Sequence, residues 1–134
     1  DPETCGEIGR AIARAIAETN RDAVIIASTD MTHYGIPYGY APLGMSPVER
    51  VVRWVRDIDA HAIDTIKGLD EKKFLGLVSD KHMTMCGYAP VAVAMVAAKE
   101  LGASKAELLK YATSYDTQGS TDAIVGYCSM LMKK

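Results

Sequence analysis

Ala23-Val24-Ile25-Ile26-Ala27-Ser28-Thr29-Asp30-Met31-Thr32-His33-Tyr34-Gly35 is an apolar run that breaks into a polar stretch carrying an acid and an imidazole. The run Ala23–Ala27 is short, β-branched and bounded by polar residues, the pattern of a buried strand. Such a strand ends near Ser28 and leaves Asp30 and His33 just past its C-terminal end, where open α/β sheets bind ligands. A carboxylate and an imidazole placed there can act on a proton or face a metal. The same spacing also suits a turn capped by Asp30 with His33 packed on Tyr34, and a D-x-x-H pattern alone does not separate the two.

Upstream, Asp1 followed by Pro2 is a helix start, an acceptor at the cap and a proline in the first turn. Ile8, Ile12, Ala15 and Ile16 recur at helical spacing and predict a helix from about Glu3 to Thr19 with that stripe inward. Glu7, Arg10, Arg14 and Glu18 fall on the solvated side. Helix followed by strand makes one αβ unit of a layered sheet. Downstream, Ile36 to Ser46 holds Pro37, Gly39, Pro42 and Gly44 with Tyr38 and Tyr40 between them, and reads as a loop. Leaving directly from His33, it is placed to form a rim whose tyrosines offer stacking surface.

Ser46-Pro47-Val48-Glu49 reads as a capping box with proline at the first helical position. The helix it opens buries Val48, Val51, Val52, Val55, Ile58, Ala62, Ile63 and Ile66, and Gly68 is its expected stop. His61 lies at the edge of that stripe and reads as a boundary residue. Asp70 caps a further short helix through Phe74, Leu77 and Val78. Pro90 then suits the first turn of a helix ending at Leu101, with Gly102 beyond it. Cys86 therefore sits just before a helix N-terminus, where the positive end of the dipole favours anionic sulfur. It is a candidate metal ligand or nucleophile, against the ordinary reading of a small buried hydrophobe. His82 stands four residues before Cys86 but across a loop, so the two make a weak pair. Leu108–Ser114 and Ala123–Met132 read as an antiparallel hairpin across a long polar turn, with Cys128 as packing.

The bulk numbers set the frame. The chain has 134 residues, 49% hydrophobic and 24% charged, enough for one globular domain with a real core. A net charge of -2 gives no basic field for nucleic acid. No apolar run is long enough to span a bilayer. Three widely spaced cysteines without a C-x-x-C argue against a disulfide framework and point to a reducing cytoplasm. The chain opens without a methionine inside a helix-cap pattern, which suggests a fragment or a processed chain.

Ser28-Thr29-Asp30-Met31-Thr32-His33-Tyr34-Gly35 resembles the S-x-D-x-x-H-Y/W-G segment of the MEMO-like family. Thr84-Met85-Cys86-Gly87-Tyr88-Ala89-Pro90-Val91 resembles that family's T-x-C-G-x-x-P-I segment, and Tyr111-Ala112-Thr113-Ser114 followed by Val125-Gly126-Tyr127 fits its close. The three segments occur in the family's order. The resemblance covers residues 1–134 but corresponds to the C-terminal half of the family's usual length. It implies an α/β fold similar to the LigB-like class III extradiol dioxygenases, a layered mixed β-sheet flanked by helices. It also implies one mononuclear metal pocket, iron first and copper second. In the family, two histidines from the N-terminal half and the cysteine matching Cys86 bind the metal; the histidine matching His33 lies in the same pocket and is an acid/base residue in the related dioxygenases, and the acid matching Asp30 lines the pocket beside it. Tyr34, Tyr38, Tyr40 and Tyr88 are the expected rim.

Those two histidines have no counterpart here, since neither His61 nor His82 occupies a matching position. The expectation is association with the missing N-terminal half, with another polypeptide, or with a second copy. Stripping strands from the sheet leaves an apolar face or edge that needs covering. The leading functional reading is a metal-dependent oxidoreductase acting on a small aromatic substrate, with Cys86 on the metal, Asp30 orienting and His33 moving a proton. The alternative is a non-catalytic binding or adaptor protein that keeps the pocket. A cysteine hydrolase built from Cys86, His33 and Asp30 or Asp116 has suitable residue types, but no hydrolase signature surrounds Cys86.

Overall fold

Asp1 and Pro2 start the first helix as their residue types predict. In the computed structural model, which describes all 134 residues, α1 spans Pro2–Thr19. The Asp1 carboxylate accepts the Thr4 N–H at 3.0 Å. The inward face differs from the expected stripe. Cys5, Gly9 and Ala13 are buried, Ile12 and Ile16 are half-buried, and Ile8 and Ala15 face outward. The reason is close helix packing against α4, Tyr88–Glu100. A Cβ at Gly9 would lie 2.6 Å from Val96 Cβ and 2.8 Å from the Val93 carbonyl oxygen, so only the small-residue edge of α1 can make this approach.

Ala23–Ala27 forms no strand. Residues 20–32 belong to no helix or strand, and residues 21–30 make no backbone–backbone hydrogen bond within the chain. Val24 and Ile26 are 87% and 84% exposed. A strand exists only through ladder bonds to a neighbour, and Ala23–Ala27 makes none within this chain. Pairing begins later. Met31 N–H donates to the Gly126 carbonyl at 2.8 Å, Gly126 N–H donates to the Thr32 carbonyl at 3.0 Å, and β1 follows at His33–Gly35. Asp30 and His33 thus stand at the entrance to a strand rather than past the exit of one.

The sheet has the order β1-β3-β2, with β2 at Lys105–Thr113 and β3 at Ala123–Lys133. Both pairings are antiparallel, His33 opposite Val125 and Tyr111 opposite Cys128. The α/β class holds, while the expected mixed sheet is antiparallel in every ladder. The polar link between β2 and β3 contains a short helix, α5, Ser114–Gln118, closed by a capping box between Thr113 and Asp116.

The long helix α2 runs Val48–Lys67 and α3 runs Glu71–Asp80. Pro47 is the N-cap residue of α2, so Glu49 falls one position short of the reciprocal site and the expected capping box does not form. Gly68 stays right-handed at the C-terminus, and Leu69 takes the left-handed conformation with φ 50°. Leu69 is 8% exposed, so side-chain burial offsets a backbone cost of about 1–2 kcal/mol. One core gathers Met31, Ile66, Phe74, Met95 and their neighbours between the helices. A second packs Tyr34, Val51, Val52, Val55 and Ile124 between β1, β3 and α2.

Candidate metal centre

The Asp30, His33 and Cys86 side chains meet at the surface, with one ligand atom of each lying within 4.8 Å of the others. His33 Nε2 is 3.5 Å from Asp30 Oδ2. The His33 side chain is 17% exposed and that of Asp30 47%, while Cys86 is exposed. His61 and His82 lie outside the cluster. The first is exposed on α2 with Nδ1 2.7 Å from the Asp57 carbonyl, and the second is exposed in a left-handed turn beyond α3.

Thr84 clamps His33. Its hydroxyl accepts the His33 N–H at 2.9 Å and donates to the His33 carbonyl at 2.7 Å. Its carbonyl oxygen lies 2.8 Å from His33 Nδ1. A carbonyl can only accept, so Nδ1 carries a proton and, in the neutral ring, Nε2 is the nitrogen left as acceptor. That is the tautomer a proton acceptor or a metal ligand needs. Tyr38 stands edge-on to the imidazole, ring centroids 5.0 Å apart.

Thr29 joins the other two members. Its hydroxyl donates to the Asp30 carbonyl at 2.7 Å, accepts the Gly87 N–H at 2.8 Å and lies 3.7 Å from Cys86 Sγ. Gly87 is the N-cap residue of α4. A Cβ there would sit 2.6 Å from both Thr29 Cβ and Thr29 Oγ1. The glycine is what brings the helix start, and Cys86 with it, against the Asp30 segment.

The expected tyrosine rim divides. Tyr38 and Tyr88 are half-exposed, the latter opening α4 two residues after Cys86. Tyr34 is wholly buried in the second core, where its hydroxyl donates to the Gly44 carbonyl and accepts the Leu43 N–H. Tyr40 packs with it against Trp54. Alternation explains this. In β1, His33 and Tyr34 point to opposite sides of the sheet, so the site and the core cannot share them.

Asp59 is the residue that helical periodicity conceals. It lies on the inner face of α2 at 0% exposure. Oδ1 accepts the Thr32 N–H at 3.0 Å and Oδ2 accepts the Tyr111 hydroxyl at 2.7 Å. Burial pushes its carboxyl above the usual range, against the hydrogen bonds from Thr32 and Tyr111 that pull it down. Burial and the adjacent Asp59 charge push the Cys128 thiol up to about 11, which fits Cys128 as packing. A buried acid among apolar positions gives no periodic signal, and its partner Tyr111 is remote in sequence.

An apolar cavity of about 600 Å3 adjoins the cluster. Thr29 and Met85 line it beside the site, together with Ala23–Ala27, α4 and the end of β3. No helix is long and apolar enough to cross a membrane.

A family model described as "Memo-like protein" matches residues 1–131. A MEMO1 family protein of Methanothermobacter thermautotrophicus is 40% identical over 96% of this chain and 41% of its own length. MEMO1 family proteins of Thermococcus onnurineus and Pyrococcus furiosus are 42% and 41% identical over 100% of this chain and 46% of theirs. The chain therefore spans less than half the length of these curated relatives.

Proposed function

The chain belongs to the Memo-like family, and we propose that it supplies one wall of a mononuclear iron or copper pocket in a non-haem oxidoreductase related to the class III extradiol dioxygenases. The convergence of Asp30, His33 and Cys86 carries this reading. The donor set fits the metal. One sulfur, one imidazole nitrogen and one carboxylate oxygen suit iron(II) or copper and are poorly matched to magnesium or calcium. Cys86 is the assigned metal ligand. The metal, once bound, supplies Lewis-acid and one-electron chemistry. With Nδ1–H of His33 given to the Thr84 carbonyl, Nε2 is the ring nitrogen left to take a proton from a hydroxyl brought beside it. Asp30 keeps the imidazole aimed and stabilises it when charged. Tyr38, edge-on to the imidazole, provides an aromatic wall for a small aromatic substrate, and Tyr88, exposed two residues after Cys86, offers a second aromatic surface.

The remaining ligands come, in this reading, from the further length that the relatives possess or from a second polypeptide. The exposed Val24 and Ile26 and the adjoining apolar cavity support that. They also favour a second reading, an adaptor whose pocket serves binding rather than turnover. A reducing compartment such as the cytoplasm suits the three unpaired thiols. Cobalt(II) or copper titration of the full-length protein, as wild type and as Cys86→Ser, tests the assignment. The expected result is a sulfur-to-metal absorption band in the wild type that Cys86→Ser abolishes. Equal affinity in both proteins overturns the metal reading, and oxygen uptake on catechols by the metal-loaded protein separates oxidoreductase from adaptor.

A further inference from the structure

We propose that Asp59 is the positioning residue of the candidate site, fixing the Asp30–His33 segment from inside the core so that the His33 imidazole meets Thr84 in its Nδ1–H form. This rests on the reading of Asp30, His33 and Cys86 as one pocket.

Three observations carry it. First, the Asp59 carboxylate has no cation beside it. Its two oxygens are instead taken by one backbone N–H, that of Thr32, and by the Tyr111 hydroxyl. Thr32 is the residue before His33. Second, β3 makes room for this acid. A Cβ at Gly126 would fall on Asp59 Oδ2 and within 3.1 Å of Met31 Cβ. Third, the same glycine holds residues 31 and 32 through its carbonyl and its N–H. The backbone ahead of His33 is therefore gripped from β3 on one side and from α2 on the other.

A packing role alone does not account for these features. The neighbouring inward positions on α2, Val55, Ala62, Ile63 and Ile66, are apolar and fully adequate as core. An aliphatic residue at 59 would fill space without the cost of burying a carboxylate. What it could not do is accept the Thr32 N–H. Residues 21–30 make no backbone–backbone hydrogen bond, so the register of the site segment depends on its anchors at 31–33. Those anchors are Gly126, Thr84 and Asp59. Tyr111 in turn aims the carboxylate by donating to Oδ2, which makes it the outer member of the same chain of contacts. The order Tyr111, Asp59, Thr32, His33 runs from β2 through α2 to the surface.

The test compares wild type, Asp59→Asn, Asp59→Ala and Tyr111→Phe with three readouts. Long-range proton–nitrogen NMR gives the His33 tautomer, hydrogen exchange gives protection of the Thr32 amide, and cobalt(II) titration gives site affinity. Asp59→Asn keeps an oxygen that accepts the Thr32 N–H and is expected to match wild type in tautomer and protection. Asp59→Ala is expected to lose the Nδ1–H preference and to weaken cobalt by about 10- to 100-fold, the range typical of residues that orient a metal ligand. Tyr111→Phe is expected to lower Thr32 protection while leaving the fold intact. A folded Asp59→Ala with wild-type tautomer and Thr32 protection overturns the proposal. If Asp59→Ala does not fold, a Tyr111→Phe protein identical to wild type at Thr32 and His33 overturns it instead. Should the chain alone fail to bind cobalt, the titration is repeated on the full-length protein, where failure fells the metal reading; the tautomer and exchange measurements decide the role of Asp59 in either case.

Discussion

Gly87→Ala tests how the two halves of the site are joined. Gly87 has an ordinary φ of −108°, so alanine adds no backbone strain and the effect is steric. The new methyl meets Thr29 Cβ and Oγ1 at 2.6 Å and the Ser28 carbonyl at 2.9 Å, and these atoms must give way. Overpacking of this kind costs about 1–3 kcal/mol. The displaced Thr29 hydroxyl also loses the Gly87 N–H, worth about 0.5–1.5 kcal/mol. The expected loss is about 2–4 kcal/mol in all. With ~2.1 cal/mol/K per residue over 134 residues, that lowers Tm by about 7–14 °C. Calorimetry and urea unfolding read it directly. The mechanism is isolated by repeating the substitution in a Thr29→Gly background, where the two closest clashing atoms are gone and only the Ser28 carbonyl contact remains. There Gly87→Ala is expected to cost under about 1 kcal/mol, a coupling typical of residues in direct contact. A loss below about 0.5 kcal/mol in the wild-type background, or equal losses in both backgrounds, refutes the claim that Gly87 sets the approach of Cys86 to the Asp30 segment.

Asp59→Asn makes a pH prediction. The folded carboxyl lies above its unfolded value of about 3.9, so between the two the native state holds a proton that the unfolded chain has lost, and stability falls as pH rises. The Tm of Asp59→Asn relative to wild type is expected to climb from about pH 4 and to level off above the folded value, whereas a pH-independent difference refutes the assignment. Two glycines in helices should respond oppositely to alanine. Gly9→Ala drives a methyl into Val96 and is expected to destabilise by about 1–3 kcal/mol. Gly76→Ala, exposed on α3 with nothing within 4 Å, is expected to stabilise by about 0.5–1 kcal/mol. Finally, the exposed Val24 and Ile26 predict concentration-dependent association in light scattering, which Val24→Lys with Ile26→Lys should abolish; association that persists unchanged in the double variant refutes this placement of the contact.

Much of this molecule was legible because its cues are local. The caps at Asp1 and Asp70, the α2 stripe and the helix start after Cys86 depend on neighbouring residues, and all stand where the sequence places them. The errors arise where a distant partner decides. Ala23–Ala27 has every strand propensity yet no partner, and propensity cannot supply the ladder. The inward face of α1 was misplaced because periodicity favours large apolar residues, while the contact with α4 selects for the absence of bulk at Gly9. In the candidate site, Asp30, His33 and Cys86 were visible as chemistry, and the fold gathers them into one cluster. Their supports were not. Thr84, Thr29 and Asp59 act on backbone groups of residues 27 to 58 positions away or on immediate neighbours, and no pattern in the chain announces such pairs.

The supports share one feature that bears on how the site works. All of them lie on the inner side. Thr84 holds both backbone groups of His33 and its Nδ1, Thr29 ties the Asp30 carbonyl to Gly87, and Asp59 holds Thr32 from the core. Nothing comparable restrains the outer side, where the Asp30 carboxylate and Cys86 sulfur face solvent. A complete enclosed site fixes its donors from all directions, because a charged donor left loose loses its orientation. An inner wall ordered in advance, with its donors presented outward, is the arrangement suited to a pocket closed by a second surface. The fold has already met the entropic cost of ordering His33 and the Asp30 backbone, so an arriving metal or polypeptide need only immobilise two short side chains. Preorganisation of that kind raises affinity without adding contacts. It also explains why a site assembled from segments so far apart in sequence depends on glycines at 87 and 126. Each removes the one side chain that would hold the walls apart.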